Sequence, residues 1–347
     1  MPRVAGTDPG TSSLDLLILQ DGIVVDQTRI PAEQLRQNPT APTEWLHARG
    51  PFDLIAGPSG YGVPMRRASE MTPRELAEMA LVRPDERGRS QGIGGFSAML
   101  RSLCESGLPV MFLPGVIHLP TVPPHRRLHR IDMGTPDKVC VAALALRQDR
   151  LLGYSVNQAT FAVLELGSAF TALMVVHAGQ IVDGVGGTSG PMGLVSRGAW
   201  DGEAAYLLSP LTKRDLFDGG AGLLPDRQLA GDALRESILA SVLGRRAIVP
   251  FDRLYWSGRL PEVEPNWAAA ILSELSRHLT VIPLDSLPGA WVKHATQGAA
   301  WIADALATGE AASSLASLEL SAARGSVLDH LPGPRGDAVR QAFADGV

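Results

Sequence analysis

One pattern is written twice in this chain at a constant spacing. Gly6 to Gln27 reads GTDPGTSSLDLLILQDGIVVDQ, and Glu165 to Asp183 reads ELGSAFTALMVVHAGQIVD. Asp8 and Glu165 stand 157 positions apart. The same offset relates Gly10 to Gly167, Thr11 to Ser168, Leu16 to Leu173, Gly22 to Gly179, Val25 to Val182 and Asp26 to Asp183. In the first copy Leu14, Leu16 and Ile18 precede Asp21-Gly22, a two-residue turn signal, and Ile23 and Val25 follow it, which predicts a β-hairpin. The segment ahead of it combines a carboxylate, Gly10 and the hydroxyls of Thr11, Ser12 and Ser13. Such a turn either holds an anion through its N–H groups while the acid takes a hydrated cation, or is a polar turn at a sheet edge. Two copies in register, half a chain apart, favour a device built twice.

A chain of 347 residues exceeds one ordinary core, so two domains are expected, 1–150 and 151–347. Hydrophobic residues at 45% supply ample core, and a net charge of -5 removes the basic footprint that nucleic-acid binding needs. Two cysteines, Cys104 and Cys140, make neither a disulfide framework nor a thiolate metal cluster. They fit a reducing cytoplasm. The chain runs into its first strand without a basic-then-apolar leader. Phe161–Val176 is broken by Glu165 and Gly167, so no membrane span is expected.

The paired hairpins resemble the phosphate-1 and phosphate-2 loops of the actin, Hsp70 and sugar-kinase superfamily. That resemblance implies an α/β fold of two ribonuclease H-like (actin-like ATPase) domains, each a mixed β-sheet flanked by helices, with a nucleotide cleft between them. It implies ATP and Mg2+ as cofactors, with both loops meeting the phosphates. Carried over, Asp8, Gly10, Thr11, Ser12 and Ser13 form the first loop, and Glu165, Gly167, Ser168 and Ala169 the second. Asp8 and Glu165 then serve the magnesium ion or its water shell. Glu165 departs from the family's usual Asp, and its longer side chain reaches a metal-bound water more readily than the metal itself.

Other landmarks fall where the superfamily would have them. Arg253–Arg259 reads as a strand ending at Ser257-Gly258, either a backbone approach to adenosine or an ordinary strand-to-loop glycine. His294 to Gly309 reads as a small-residue helix whose Gly298 allows close packing, near the nucleotide or merely against another helix. Thr135, Pro136 and Asp137 open a helix to about Arg147, which gives Asp137 a local explanation as a first-turn acid. Asp132 has none, so the reading prefers Asp132 to Asp137 as the acceptor-facing carboxylate and leaves Lys138 facing solvent. Gly184–Gly193 holds five glycines, with Gly186 and Gly187 facing the phosphates under the same resemblance. Its Gly-Pro-Met and the following Ser-Arg-Gly resemble a stretch of the butyrate and acetate kinase branch. That makes Arg197 a candidate anion clamp. Over nearly its full length the chain resembles the predicted carboxylate kinases allied to butyrate kinase.

His125 and His129 stand at i, i+4, a metal-ligand spacing if helical, in a loop that also carries Arg126, Arg127 and Arg130. Thr72–Glu75 is a capping box for a helix to about Val82. Further helices are expected at 95–105, 225–243, 266–279 and 335–344, the last packing back on the first domain, with a charged turn at Asp85–Ser90. The expected activity is an ATP- and Mg-dependent kinase acting on a small carboxylate-bearing acceptor. The alternatives are an ATP-binding switch or assembly protein of the same fold, or a degenerate paralogue. Expected partners are a nucleotide and a small-molecule acceptor, with neither nucleic acid nor membrane, and a homodimer is an option.

Overall fold

A computed structural model describes residues 2–57, 60–83, 95–308 and 315–345. The Asp85–Ser90 turn and the helix end at Gly309 lie outside the described residues. Strands β1 (Arg3–Pro9), β2 (Ser13–Gln20), β3 (Ile23–Pro31), β4 (Leu54–Ala56), β5 (Arg66–Arg67) and β6 (Val110–Phe112) form one sheet in the order β3-β2-β1-β4-β6-β5. Strands β7 (Phe161–Leu166), β8 (Thr171–His177), β9 (Gln180–Val185), β10 (Arg253–Ser257) and β11 (Thr280–Pro283) form a second, β11-β10-β7-β8-β9. In each sheet an antiparallel meander is extended by parallel strands.

The repeat holds at the level of hydrogen bonds. Val4 pairs with Leu19 and Phe161 with Val176, the same register 157 residues on. Asp21 and Gly22 both take positive φ (53° and 73°), as do Ala178 and Gly179 (48° and 76°), which closes both two-residue turns. A β-bulge falls between Ile18 and Leu19, and its counterpart falls between Val175 and Val176. A bulge inherited at one offset is a backbone feature that residue matching alone does not reveal.

Helices of eight residues or more are α1 (Pro73–Ala80), α2 (Phe96–Glu105), α3 (Pro136–Leu151), α4 (Arg227–Ile248), α5 (Pro265–Ser276), α6 (His294–Thr308) and α7 (Pro334–Asp345). The Thr72–Glu75 capping box forms as expected. Helix α3 runs a turn past Arg147 because Val139 to Leu146 is buried throughout, so packing rather than a polar boundary decides its length. Helix α4 starts later than expected, where Asp226 caps the amides of Gln228 and Leu229.

The central core lies between the sheets. Val4, Leu17 and Leu19 on one side and Phe161, Val163, Met174 and Val176 on the other close around α3 and α6. Helix α6 follows the second sheet in the chain but packs on β1, β2 and β4 of the first. Helix α7 packs on α1, and its Phe343 is buried in the same core. The outer face of the first sheet is covered by α2, with Met99, Leu100 and Leu103 against Leu14, Leu16 and Ile18. The outer face of the second sheet is covered by α4 and α5. Among the described residues no helix is long and apolar enough to cross a membrane.

Candidate active site

The two loops make the same turn. Gly10 donates its N–H to the Ser13 carbonyl at 2.8 Å, and Gly167 donates to Phe170 at 3.0 Å, again one offset apart. In the first loop Thr11 and Ser12 are exposed, whereas Ser13 is buried and its hydroxyl donates to Asp15 at 3.0 Å. The hydroxyl of Ser13 is therefore used inside the fold. In the second loop Gly167 and Ser168 are half-buried, and the Ala169 carbonyl accepts from Val195 and Ser196.

A cluster of opposite charges lies between the loops. The first turn of α3 delivers Asp137 and Lys138, and the ammonium of Lys138 donates to Asp137 and lies 3.2 Å from Glu165. Lys293, the residue before α6, lies 3.3 Å from Asp8 and donates to the Ser13 carbonyl at 3.2 Å. Its backbone N–H donates to Asp15, a fully buried carboxylate also gripped by both arms of Arg29. Lys138 was expected to face solvent, but its side chain is only 12% exposed. The reason is its place at the N-terminus of α3, wedged between Asp137 and the second loop.

Burial pushes the Asp8 carboxyl above its usual range, against the pull of Lys293. Glu165 is raised for the same reason, against the pull of Lys138. Burial would raise Asp137 too, yet the charge and hydrogen bond of Lys138 outweigh it and hold that carboxyl low. Lys138 is raised despite its own burial, because Asp137 and Glu165 hold its proton. Asp8 Oδ1 has no hydrogen-bond partner among the described residues, and Glu165 Oε2 is near Lys138 without being aligned to a donor. Two such oxygens, one on each loop, suit a hydrated divalent cation held through water and phosphate oxygens. No three His, Cys, Asp or Glu side chains form a cage for a bare ion among the described residues.

Asp132 stands elsewhere. Its carboxylate accepts from the N–H of Gly134 (3.2 Å) and from the N–H and hydroxyl of Thr188 (3.1 and 2.9 Å). Its carbonyl accepts from Gly186 and from the Ser189 hydroxyl. A Cβ on Gly186 would lie 1.6 Å from Asp132 Oδ1, and one on Gly187 would lie 2.4 Å from the Phe170 ring. Those glycines fit the loop against Asp132 and Phe170. The two acids thus have different surroundings: Asp137 joins the charge cluster, while Asp132 accepts hydrogen bonds from the glycine loop.

The basic segment is also committed to backbone. Arg126 donates to the Val182 carbonyl at 2.8 Å and Arg130 to Ser189 at 3.2 Å, while Arg127 binds Leu119 and Val122. The helix carrying His125 ends at Arg127, and His129 has a φ of 56°, so the two histidines do not share a helical face. Arg197 stacks 4.0 Å from the Trp200 ring and donates to the Asp218 carbonyl, which makes it part of the loop's scaffold. Nearby, Lys213 donates to the Tyr61 hydroxyl at 3.1 Å, and Phe217 meets Phe170 of the second loop edge-on at 5.4 Å.

Ser257 lies 2.8 Å from His294 Nδ1, and Ser286 lies 3.2 Å from His294 Nε2. Burial lowers the imidazole's pKa, which favours its neutral form. Gly258 has a φ of 110°, and a Cβ there would lie 2.2 Å from the Leu166 carbonyl. Gly298 faces α3. A Cβ on it would lie 2.0 Å from the Cys140 carbonyl of α3, so its missing side chain serves the crossing of α3 and α6. In sequence His294 marks only a helix start, and Lys293 carries no local motif. Their signal was the offset itself, since Lys293 stands 157 positions after Pro136, the start of α3.

A family model described as a protein of unknown function, DUF1464, matches residues 6–332. The chain belongs to that family. No curated protein matches it. Among solved structures, a propionate kinase from Francisella tularensis subsp. tularensis SCHU S4 superposes with a TM-score of 0.60 at 13% identity, over 86% of this chain and 98% of that one. An acetate kinase from Entamoeba histolytica superposes with a TM-score of 0.57 at 11% identity, over 82% and 96%. At such identities the likeness is one of fold: the DUF1464 chain shares its two-sheet fold with these two kinases.

Proposed function

We propose that this DUF1464 protein is an ATP- and Mg2+-dependent phosphotransferase acting on a small carboxylate-bearing acceptor, with domains 1–150 and 151–347 closing on the nucleotide. The observation that carries the reading is the convergence of Asp8, Asp137, Lys138, Glu165 and Lys293 between two identical glycine turns. Phosphoryl transfer asks little covalent chemistry of a protein and much positioning and charge stabilisation. Asp8 and Glu165 would hold hydrated magnesium, which supplies charge neutralisation at the phosphates when bound. Backbone amides of both loops would donate to phosphate oxygens, and Ser257-Gly258 and His294 would border the nucleoside. An acceptor carboxylate is already ionised near neutrality, so it needs no general base. Its oxygen forms the new bond to the γ-phosphorus as the bond to the departing ADP oxygen breaks. Asp137 fixes Lys138 toward Glu165, and closure of the cleft excludes water that would otherwise take the phosphoryl group. The ammonium of Lys213 and the rings of Tyr61 and Phe217, grouped beside the second loop, support an anionic acceptor of modest size.

The test is ADP release from ATP and magnesium with a panel of short carboxylic acids. Release that rises with one acid supports the kinase; slow release that no acid alters supports a nucleotide-controlled switch instead. In the active assay, Asp137→Asn should lower turnover by about 100-fold, the scale of losing one positioned charge in such a site. Asp132→Ala should leave ATP affinity within a few-fold. It should lower the urea midpoint by the equivalent of roughly 1–3 kcal/mol, because Thr188 and Gly134 lose their buried acceptor. Equal turnover losses in both variants would contradict the division of labour between the two aspartates.

A further inference from the structure

Of the 31 lysines and arginines in the chain, three are lysines: Lys138, Lys213 and Lys293. None of them is on the open surface. The side chains of Lys138 and Lys293 are 12% and 18% exposed, and Lys213 is 8% exposed. Every exposed cation among the described residues is therefore an arginine. Lysine offers a compact, strongly hydrated point charge where arginine offers a flat fork, so a chain that keeps its three lysines off the open surface uses them where ammonium size matters.

Two of the three are arranged reciprocally. Lys138, in the first turn of the helix that follows the first sheet, reaches Glu165 on the second loop. Lys293 precedes the helix that follows the second sheet and reaches Asp8 on the first loop. The ammonium of Lys293 lies inside that loop, for a Cβ on Gly10 would be 2.4 Å from its Nζ. It donates to the Ser13 carbonyl and leaves the buried Asp8 Oδ1 without a partner. Its neighbour His294 faces the other way, toward Ser257 and Ser286. One peptide link thus joins the phosphate end of the cleft to its nucleoside end.

We propose that Lys293 is a receptor for the phosphate chain of the nucleotide, exchanging Asp8 for a phosphate oxygen when a di- or triphosphate enters the first loop, with Lys138 as its counterpart at the second. The ligand class is an oligophosphate, read independently of the base. The exchange frees both oxygens of Asp8 for the hydrated cation that arrives with the phosphates. This inference rests on the nucleotide reading above and adds a residue from the second half of the chain to a loop of the first.

The test uses the whole wild-type protein and limited acylation with an amine-selective succinimidyl acetate. Modification at each lysine is measured by mass spectrometry relative to the unfolded chain. Pyrophosphate and ATP should each lower acylation of Lys293 at least about threefold, whereas adenosine should not, since ion pairing to phosphate withdraws the free amine. By calorimetry, Lys293→Met should weaken ATP binding by about tenfold or more, with adenosine unaffected and Lys293→Arg intermediate. If ATP binds the wild type but neither protects Lys293 nor distinguishes Lys293→Met, the lysine assignment falls and the nucleotide reading stands. If the wild type binds neither ATP nor pyrophosphate, both fall together.

Discussion

Asp8→Ala should abolish the contribution of magnesium to ATP affinity while leaving the protein as stable as before, or slightly more so. The two halves of that result have one cause. Asp8 is 4% exposed, and burial raises its carboxyl above the usual range even with Lys293 beside it, so the ionised form is held at a cost to the fold. Removing it relieves that cost but takes away Oδ1, which has no hydrogen-bond partner among the described residues and is proposed to face the hydrated cation. A residue that burdens the fold in this way is characteristic of a functional site. The measurement is a magnesium titration of ATP binding alongside urea unfolding of both proteins. A variant that lost several kcal/mol of stability and kept its magnesium response would mark Asp8 as a structural anion for Lys293.

Gly298→Ala should be strongly damaging, lowering stability by about 3 kcal/mol or more. The added carbon would meet the Cys140 carbonyl at 2.0 Å, and that carbonyl is backbone within a helix that cannot yield locally. Gly6 faces the same restriction from the opposite side, where a Cβ would lie 2.2 Å from the Ala300 nitrogen. Between them these glycines let α6 sit against both α3 and β1, which ties the two sheets to one core. Gly244 provides the contrast. It lies inside α4, where an added Cβ would meet nothing within 4 Å, so Gly244→Ala should stabilise by roughly 0.5–1 kcal/mol. Urea midpoints of the three proteins check both signs.

The repeat made the fold legible because it is written in residues that the backbone requires. Asp21-Gly22 and Ala178-Gly179 mark the turns, and the alternation of Leu14, Leu16 and Ile18 marks a strand. Both loops and their acids could be found in the same way. The charge cluster was harder to see, because it joins residues from four separate segments, around positions 8, 137, 165 and 293, and no local pattern links them. Asp137 and Asp132 show the limit most clearly. A first-turn acid looks explained by its helix, and a lone acid before the cap looks unexplained, yet tertiary contacts give Asp132 three donors and leave Asp137 facing Lys138. Gly298 shows a related limit, since a glycine that admits a ligand and one that admits a neighbouring helix look alike until the neighbour is known. The roles of Arg126, Arg127 and Arg130 were likewise not legible, because their carbonyl partners, Leu119, Val122, Val182 and Ser189, include loop and strand groups that sequence does not place beside them.

The central claim is that the two glycine loops and the charge cluster between them bind a nucleotide through its phosphates and a divalent cation. Calorimetric titration of the intact protein with ATP, with and without magnesium, tests it most directly. The account predicts saturable binding that magnesium strengthens at least about tenfold, since carboxylates on both loops then share the cation with the phosphates. No heat and no saturation at millimolar ATP in the presence of magnesium would contradict it.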